Sequence, residues 1–241
     1  MRKKAGKKRK KIKFSFIIPT LNEGKQIGSI IKSIKSQNRK DYEIIVADSY
    51  SKDKTTKIAK KCKCKVVFEG RKGPGVARNT GAKKARGDIF IFADADTRFK
   101  SDFLDRLEKE FQEPIGGGVC KLTFHDAEKW ADNFFFGAWN HVIKFLNDAG
   151  FTMTNGSCFI FDRKAFNAVH GFNPKLLTNE DHDIARRIKK SGRRVKFFNI
   201  VVYTSARRLH KMGRLKFLKL QIKATYYYFY KKRSYPKYWS E

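Results

Sequence analysis

Apolar and polar residues follow two rhythms along this chain. Compact apolar blocks at 14–18, 43–47, 65–68 and 88–93 have the length and the branched or aromatic content of buried strands. Between them the spacing turns helical. Ile27, Ile30, Ile31 and Ile34 form a stripe within 24–37, and Thr55, Ile58 and Ala59 do so within 51–61. The small residues of 73–85 predict a third, closely packed helix. Strand and helix alternate over short connections, the pattern of right-handed βαβ units. The expected fold is α/β, with a Rossmann-like, mostly parallel central sheet flanked by helices.

Beyond residue 100 the spacing predicts helices at 102–111, 127–146, 181–190 and 213–230, and strands at 116–124, 157–161 and 199–203. The last helix sets Lys216, Lys219 and Lys223 among Leu215, Phe217, Leu218, Leu220 and Ile222. It ends in Tyr226-Tyr227-Tyr228-Phe229-Tyr230 followed by Lys231-Lys232-Arg233, an amphipathic C-terminal segment.

The blocks end in polar residues that carry chemistry. Asp94-Ala95-Asp96 follows the run 89–93, and side chains two apart on an extended chain share a face. Two such carboxylates at a strand's carboxyl end suit a hard divalent cation that keeps sites open for phosphate oxygens. Pro19 to Glu23 and Asp48 end two other strands, and open parallel sheets bind ligands at those ends. Asp48 either accepts hydrogen bonds from a nucleoside or caps the helix that follows it. Gly73-Pro74-Gly75 opens a helix whose N-terminus favours anions, or is a turn; it lacks the Walker lysine. Glu180 and Asp181 open another helix, as a dipole-stabilised cap or as a carboxylate general base facing an acceptor. Arg207 and Arg208 are either a bidentate diphosphate clamp or part of a solvated basic loop. His210 nearby is a candidate third metal ligand.

Charge then narrows the partner. The 241 residues carry a net charge of +32, with nine Lys/Arg and no acid in 2–13 and eleven against Glu241 in 207–241. Basic ends of this kind imply an anionic partner: nucleic acid, an acidic membrane or a phosphorylated substrate. Nucleic acid fits poorly, because three acidic motifs at the mouth of one sheet repel phosphate unless a metal intervenes. The longest uncharged stretch, 149–161, is too short to cross a bilayer, and the basic start has no apolar run behind it to make a secretory signal. Cys62, Cys64, Cys120 and Cys158 lack metal spacing and are expected as reduced thiols. The expected location is cytoplasmic, peripheral on the cytoplasmic membrane face.

Taken as a set, these motifs resemble the family 2 glycosyltransferases, inverting enzymes of the GT-A fold. The resemblance runs from about Phe14 to Val202 and rests on five segments. They are Ile17-Ile18-Pro19-Thr20-Leu21-Asn22-Glu23, Val46-Ala47-Asp48-Ser49 with Asp53 and Thr55, Gly75-Val76-Ala77-Arg78-Asn79-Thr80-Gly81, Asp94-Ala95-Asp96, and Glu180-Asp181. It implies that Pro19, Thr20, Glu23 and Asp48 hold the nucleoside of a nucleotide-sugar, and that Asp94 and Ala95 line the ribose and phosphates. Asp96 then binds Mn²⁺ or Mg²⁺ on the diphosphate, and Asp181 is the catalytic base. Arg78, Glu180, Arg207 and Arg208 complete the expected donor pocket. The order Asp48-Ser49-Tyr50-Ser51 departs from the family's commoner Asp-Gly-Ser. The expected division is a basic disordered tail at 1–13, a catalytic domain at 14–206 and a basic, aromatic helical extension at 207–241. Within the domain, about 14–98 binds nucleotide and about 99–206 faces the acceptor. The basic, tyrosine-rich end suits either an anionic membrane, and with it a lipid-linked acceptor, or a helix packed on the sheet or in a dimer contact.

Overall fold

The computed structural model describes residues 11–71, 73–112, 114–127, 130–231 and 233–235. Residues 1–10 of the expected tail, and 232 and 236–241 of the expected extension, lie outside the described residues.

The first half follows the alternation of the sequence. Strands β1 (Phe14–Thr20), β2 (Tyr42–Asp48), β3 (Lys65–Phe68) and β4 (Ile89–Ala93) are separated by helices α1 (Ile27–Lys35), α2 (Thr55–Lys61) and α3 (Pro74–Lys83). β2 and β4 pair with β1 in parallel, and β3 pairs with β2 likewise, because each helix carries the chain back over the sheet. All five residues of β4 are buried, which is why it reads as one apolar run rather than an alternation. α1 buries Ile27, Ile30, Ile31 and Ile34. Each such side chain contributes on the order of 2 kcal/mol of transfer free energy. α3 crosses β1 at Gly81, where a Cβ would stand 2.5 Å from Ile17 Cγ2; the small-residue run exists to allow this approach.

The second half adds α4 (Phe103–Glu110), β5 (Ile115–Phe124), α5 (Trp130–Asp148), β6 (Cys158–Asp162), α6 (Arg163–Ala168) and α7 (Glu180–Lys190). It closes with β7 (Arg194–Thr204), α8 (Arg207–Met212) and α9 (Arg214–Lys231). Seven strands form one sheet in the order β3-β2-β1-β4-β6-β5-β7. Only β6 runs against its neighbours, β4 and β5, so the sheet is mostly parallel. Apolar layers cover both faces. One includes side chains of α1, α4 and α8, and the other those of α3, α6 and α7.

Local differences from the sequence reading have physical causes. α2 begins at Thr55 because Ser51 and Asp53 are engaged in loop hydrogen bonds. α6, capped by Asp162 accepting from Ala165 N, is too short to show a helical period. α8 begins the expected helical extension and takes the place of the solvated loop that is one of the two readings of Arg207 and Arg208. The four cysteines are free thiols, as expected.

Candidate active site

Strand ends β1, β2 and β4 open onto one cavity of about 1600 Å³. Pro19, Thr20 and Glu23 line it from β1, and Asp94, Ala95 and Asp96 from β4. Glu180 and Asp181 enter from the start of α7, Arg78 from α3, and Arg207 and Arg208 from α8. The topology thus gathers residues more than a hundred positions apart into one cavity. Asp48 and His210 do not line it.

Asp48 is fully buried. Its carboxylate accepts from Thr20 Oγ1 (2.8 Å), Ser51 N (2.8 Å) and Ser51 Oγ (2.6 Å). Neighbouring contacts extend the network. Ser51 Oγ accepts from Asn22 N, Thr55 Oγ1 from Glu23 N, and Asp53 Oδ2 from Gly24 N. The two motifs therefore lock together as paired loops, and Asp48 shapes the wall behind Thr20 rather than facing the cavity.

Arg78 is 3 % exposed and lies between two acids. It donates to Glu180 Oε1 at 2.5 Å and to Asp94 Oδ1 at 2.8 Å, with its guanidinium 4.8 Å from the Phe159 ring centre and 5.7 Å from that of Phe172. One cation thus ties the end of β4 to the start of α7. Asp94 still keeps 38 % of its side chain open to the cavity, so it remains available to a ligand. Burial pushes the Glu180 carboxyl up to about 7, against the opposing pull of Arg78, and the more open Asp94 is raised as well, with Asp96 adding to the push.

These shifts give a stability prediction. An ordinary glutamate titrates near 4.5, so between about 4.5 and about 7 the folded chain holds a proton that the unfolded chain has released. The contribution of Glu180 to stability therefore falls as pH rises through that window. Melting temperatures of Glu180→Gln should decline less steeply with pH than those of the unsubstituted chain. Parallel curves for the two proteins would contradict the assignment.

Asp181, 7 % exposed, accepts a 2.6 Å hydrogen bond from Thr154 Oγ1 at Oδ2. Thr154 is itself buried, and its backbone N–H donates to His182 Nδ1 (3.1 Å). Asn179 precedes this pair in a left-handed conformation (φ 57°) and makes no side-chain cap. Neither acid acts as the cap, since Glu180 is held by Arg78 and Asp181 by Thr154.

Arg207 forks onto Glu23 (2.8 and 3.1 Å), with Nε 3.4 Å from Asp96 Oδ2. Burial raises the pKa of Asp96, while Arg207 draws it back.

Comparison with known proteins now decides the family. The Glycosyl transferase family 2 model matches residues 15–170. The chain belongs to glycosyl transferase family 2. The O-antigen chain rhamnosyltransferase RfbN of Salmonella typhimurium is 29 % identical over 77 % of this chain and 64 % of its own length. The poly(ribitol-phosphate) beta-N-acetylglucosaminyltransferase TarS of Staphylococcus aureus is 32 % identical over 39 % of this chain and 18 % of its own. The chain thus spans only part of the relatives it matches. Among solved structures, mannosyltransferase PcManGT from Pyrobaculum calidifontis, in complex with GDP-Man and Mn2+, superposes with a TM-score of 0.67. It shares 20 % identity over 88 % of this chain and 65 % of its own. The crystal structure of S. aureus TarS gives a TM-score of 0.66 at 19 % identity, over 91 % and 44 % of the two chains. The fold is therefore GT-A.

For a family 2 glycosyltransferase, two differences from the sequence reading stand out. His210 turns away from the cavity: its Nε2 lies 3.0 Å from Asp132 Oδ2, and Arg214 also holds that buried acid. The pair fastens α8 and α9 to α5, so His210 is not placed as a third metal ligand. Thr154 belongs to none of the five motif segments. The uncharged stretch 149–161 that contains it carried the signal, since buried hydroxyl and amide groups there need polar partners.

The acids fit a divalent cation of limited protein coordination. No cluster of three or more His, Cys, Asp or Glu able to hold a metal occurs among the described residues. Asp96 and Glu23, both held by Arg207, offer hard oxygen donors of the kind Mg²⁺ and Mn²⁺ take when phosphates supply the rest.

Proposed function

We propose that this chain is an inverting glycosyltransferase that moves a sugar from a UDP- or GDP-linked donor to an acceptor hydroxyl or lipid phosphate. The arrangement of Asp181 on Thr154, in one cavity with Asp94 and Asp96, carries this reading. Pro19, Thr20 and Glu23 hold the nucleoside, with Asp48 fixing the wall behind Thr20. Asp94 and Ala95 line the ribose and phosphates, and Asp96 holds the divalent cation. When bound, that cation supplies positive charge at the diphosphate.

Asp181 takes the proton of an acceptor hydroxyl. The acceptor oxygen bonds to the anomeric carbon as the bond to the donor phosphate breaks on the opposite face, and the electron pair leaves with the nucleoside diphosphate. Arg207 and Arg208 offset the charge that builds there. Solved structures of similar fold include TarS in complex with UDP-GlcNAc and PcManGT in complex with GDP-Man, which supports a nucleotide-sugar donor without choosing the base. The acceptor is carried on a lipid, a polyprenyl phosphate or a growing glycolipid, reached from the cytoplasmic membrane face. No helix among the described residues is long and apolar enough to cross a membrane.

Calorimetric titration of UDP and GDP, with and without Mn²⁺, tests the donor side. One nucleotide should bind in a metal-dependent way, and Asp96→Ala should abolish that dependence. Binding of neither nucleotide, together with a salt-sensitive shift on generic DNA, would instead favour a nucleic-acid-binding protein.

A further inference from the structure

Besides its acids the cavity has a large apolar lining: Phe151, Ile222, Tyr226, Phe229 and Tyr230 line it and yet stay 64, 60, 47, 37 and 75 % exposed. Large apolar side chains gathered around an opening mark a surface that meets something.

Helix α9 has the build for this. Its buried residues are Leu220, Ala224 and Tyr228, one every fourth position. That inner stripe grips the segment bearing Asp181. Asn179 Nδ2 donates to Ala224 O (3.0 Å), Tyr228 Oη donates to Asp183 Oδ1 (3.4 Å), and Arg186 lies over the Tyr228 ring at 5.6 Å. The other side of α9 carries Leu215, Lys219, Ile222, Tyr226 and Phe229 on one face by helical spacing. Arg214, Lys216, Lys219, Lys223 and Lys231 are its charged residues, and it contains no acid. Exposed Val142 and Phe145 on α5 add further apolar surface near the cavity wall formed by Trp139 and Leu146.

Charge complementarity selects the occupant. Apolar and aromatic side chains interleaved with lysine, and free of acid, suit the interface of an anionic bilayer: rings sit at headgroup level and ammonium groups meet lipid phosphates. A second copy of the chain would bring the same cations and repel. We infer that this rim, centred on the outer face of α9, docks the protein on an anionic lipid bilayer and turns the cavity mouth toward it. The inference deepens the proposed transfer to a lipid-borne acceptor and takes its purpose from that reading, but docking is measurable without turnover.

Flotation of the full chain with vesicles of phosphatidylcholine, alone or mixed equally with phosphatidylglycerol, tests it. Flotation is expected with the mixture, weakened by salt but not abolished, because apolar insertion persists when charge is screened. Leu215→Glu with Lys219→Glu, both outside the cavity lining, should weaken partitioning on the order of a hundredfold. UDP and GDP titration of the same variant reports on folding and on the donor site separately. Equal flotation of variant and unsubstituted chain, or none with the anionic mixture, overturns the inference. So does a dimer in sedimentation that the two substitutions split into monomers. Flotation that persists while neither nucleotide binds would overturn the proposed transfer and leave the docking face standing.

Discussion

Asp181→Asn is expected to lower sugar transfer on the order of a thousandfold while nucleotide affinity stays unchanged. The substitution keeps the shape of the side chain, and its amide oxygen still accepts the hydrogen bond from Thr154. It removes the one property the reaction needs there, a basic oxygen for the acceptor's proton, and general-base catalysis contributes about 10²–10⁴-fold. The proposed nucleotide contacts lie at the β1 and β4 ends of the cavity, so calorimetry should give the same affinity as the unsubstituted chain. Initial rates of transfer, measured with the nucleotide class that binds, make the comparison. Turnover within about tenfold of the unsubstituted chain would sink the role of Asp181 as base. Thr154→Val provides a graded companion, since it frees the carboxylate without deleting it.

Which parts of this site a sequence displays depends on how local their causes are. Strand blocks and α1 were legible because burial imposes period and composition within a few residues. Asp94-Ala95-Asp96 and Glu180-Asp181 were legible as polar residues directly bounding such elements. The roles of Asp48 and His210 were not. Asp48 faces Thr20 and Ser51 because two loops close on each other, and His210 turns to Asp132 from a different helix. Both outcomes depend on contacts between distant segments, for which one chain carries no periodic trace. The same holds for α8, whose six residues are fixed at their start by Asp126 accepting from Ser205 Oγ and Ala206 N. Thr154 sits between these cases: its uncharged surroundings were visible, but its partner lies at the start of α7, far along the chain.

Arg78 carries the largest expected effect on stability. The sequence places it among donor-binding residues, and it does line the cavity, yet its guanidinium is held by Glu180 and Asp94. Arg78→Met keeps much of the side-chain volume and the contact with Phe159 and Phe172, but leaves buried Glu180 and the part-open Asp94 without the cation between them. Removing one partner from a buried charge cluster costs about 3–5 kcal/mol. Urea unfolding near neutral pH should show a loss of that order. The deficit should shrink on acidification, because protonating Glu180, already pushed up to about 7, removes the charge that Arg78 no longer balances. Arg78→Lys should recover only part of the loss, since an ammonium lacks the planar fork that reaches both carboxylates at once. A merely space-filling arginine would give a deficit independent of pH and equal for Met and Lys. That pattern would show β4 and α7 to be joined by packing alone, and the carboxylates on either side of Arg78 would then owe their positions to the backbone rather than to the charge between them.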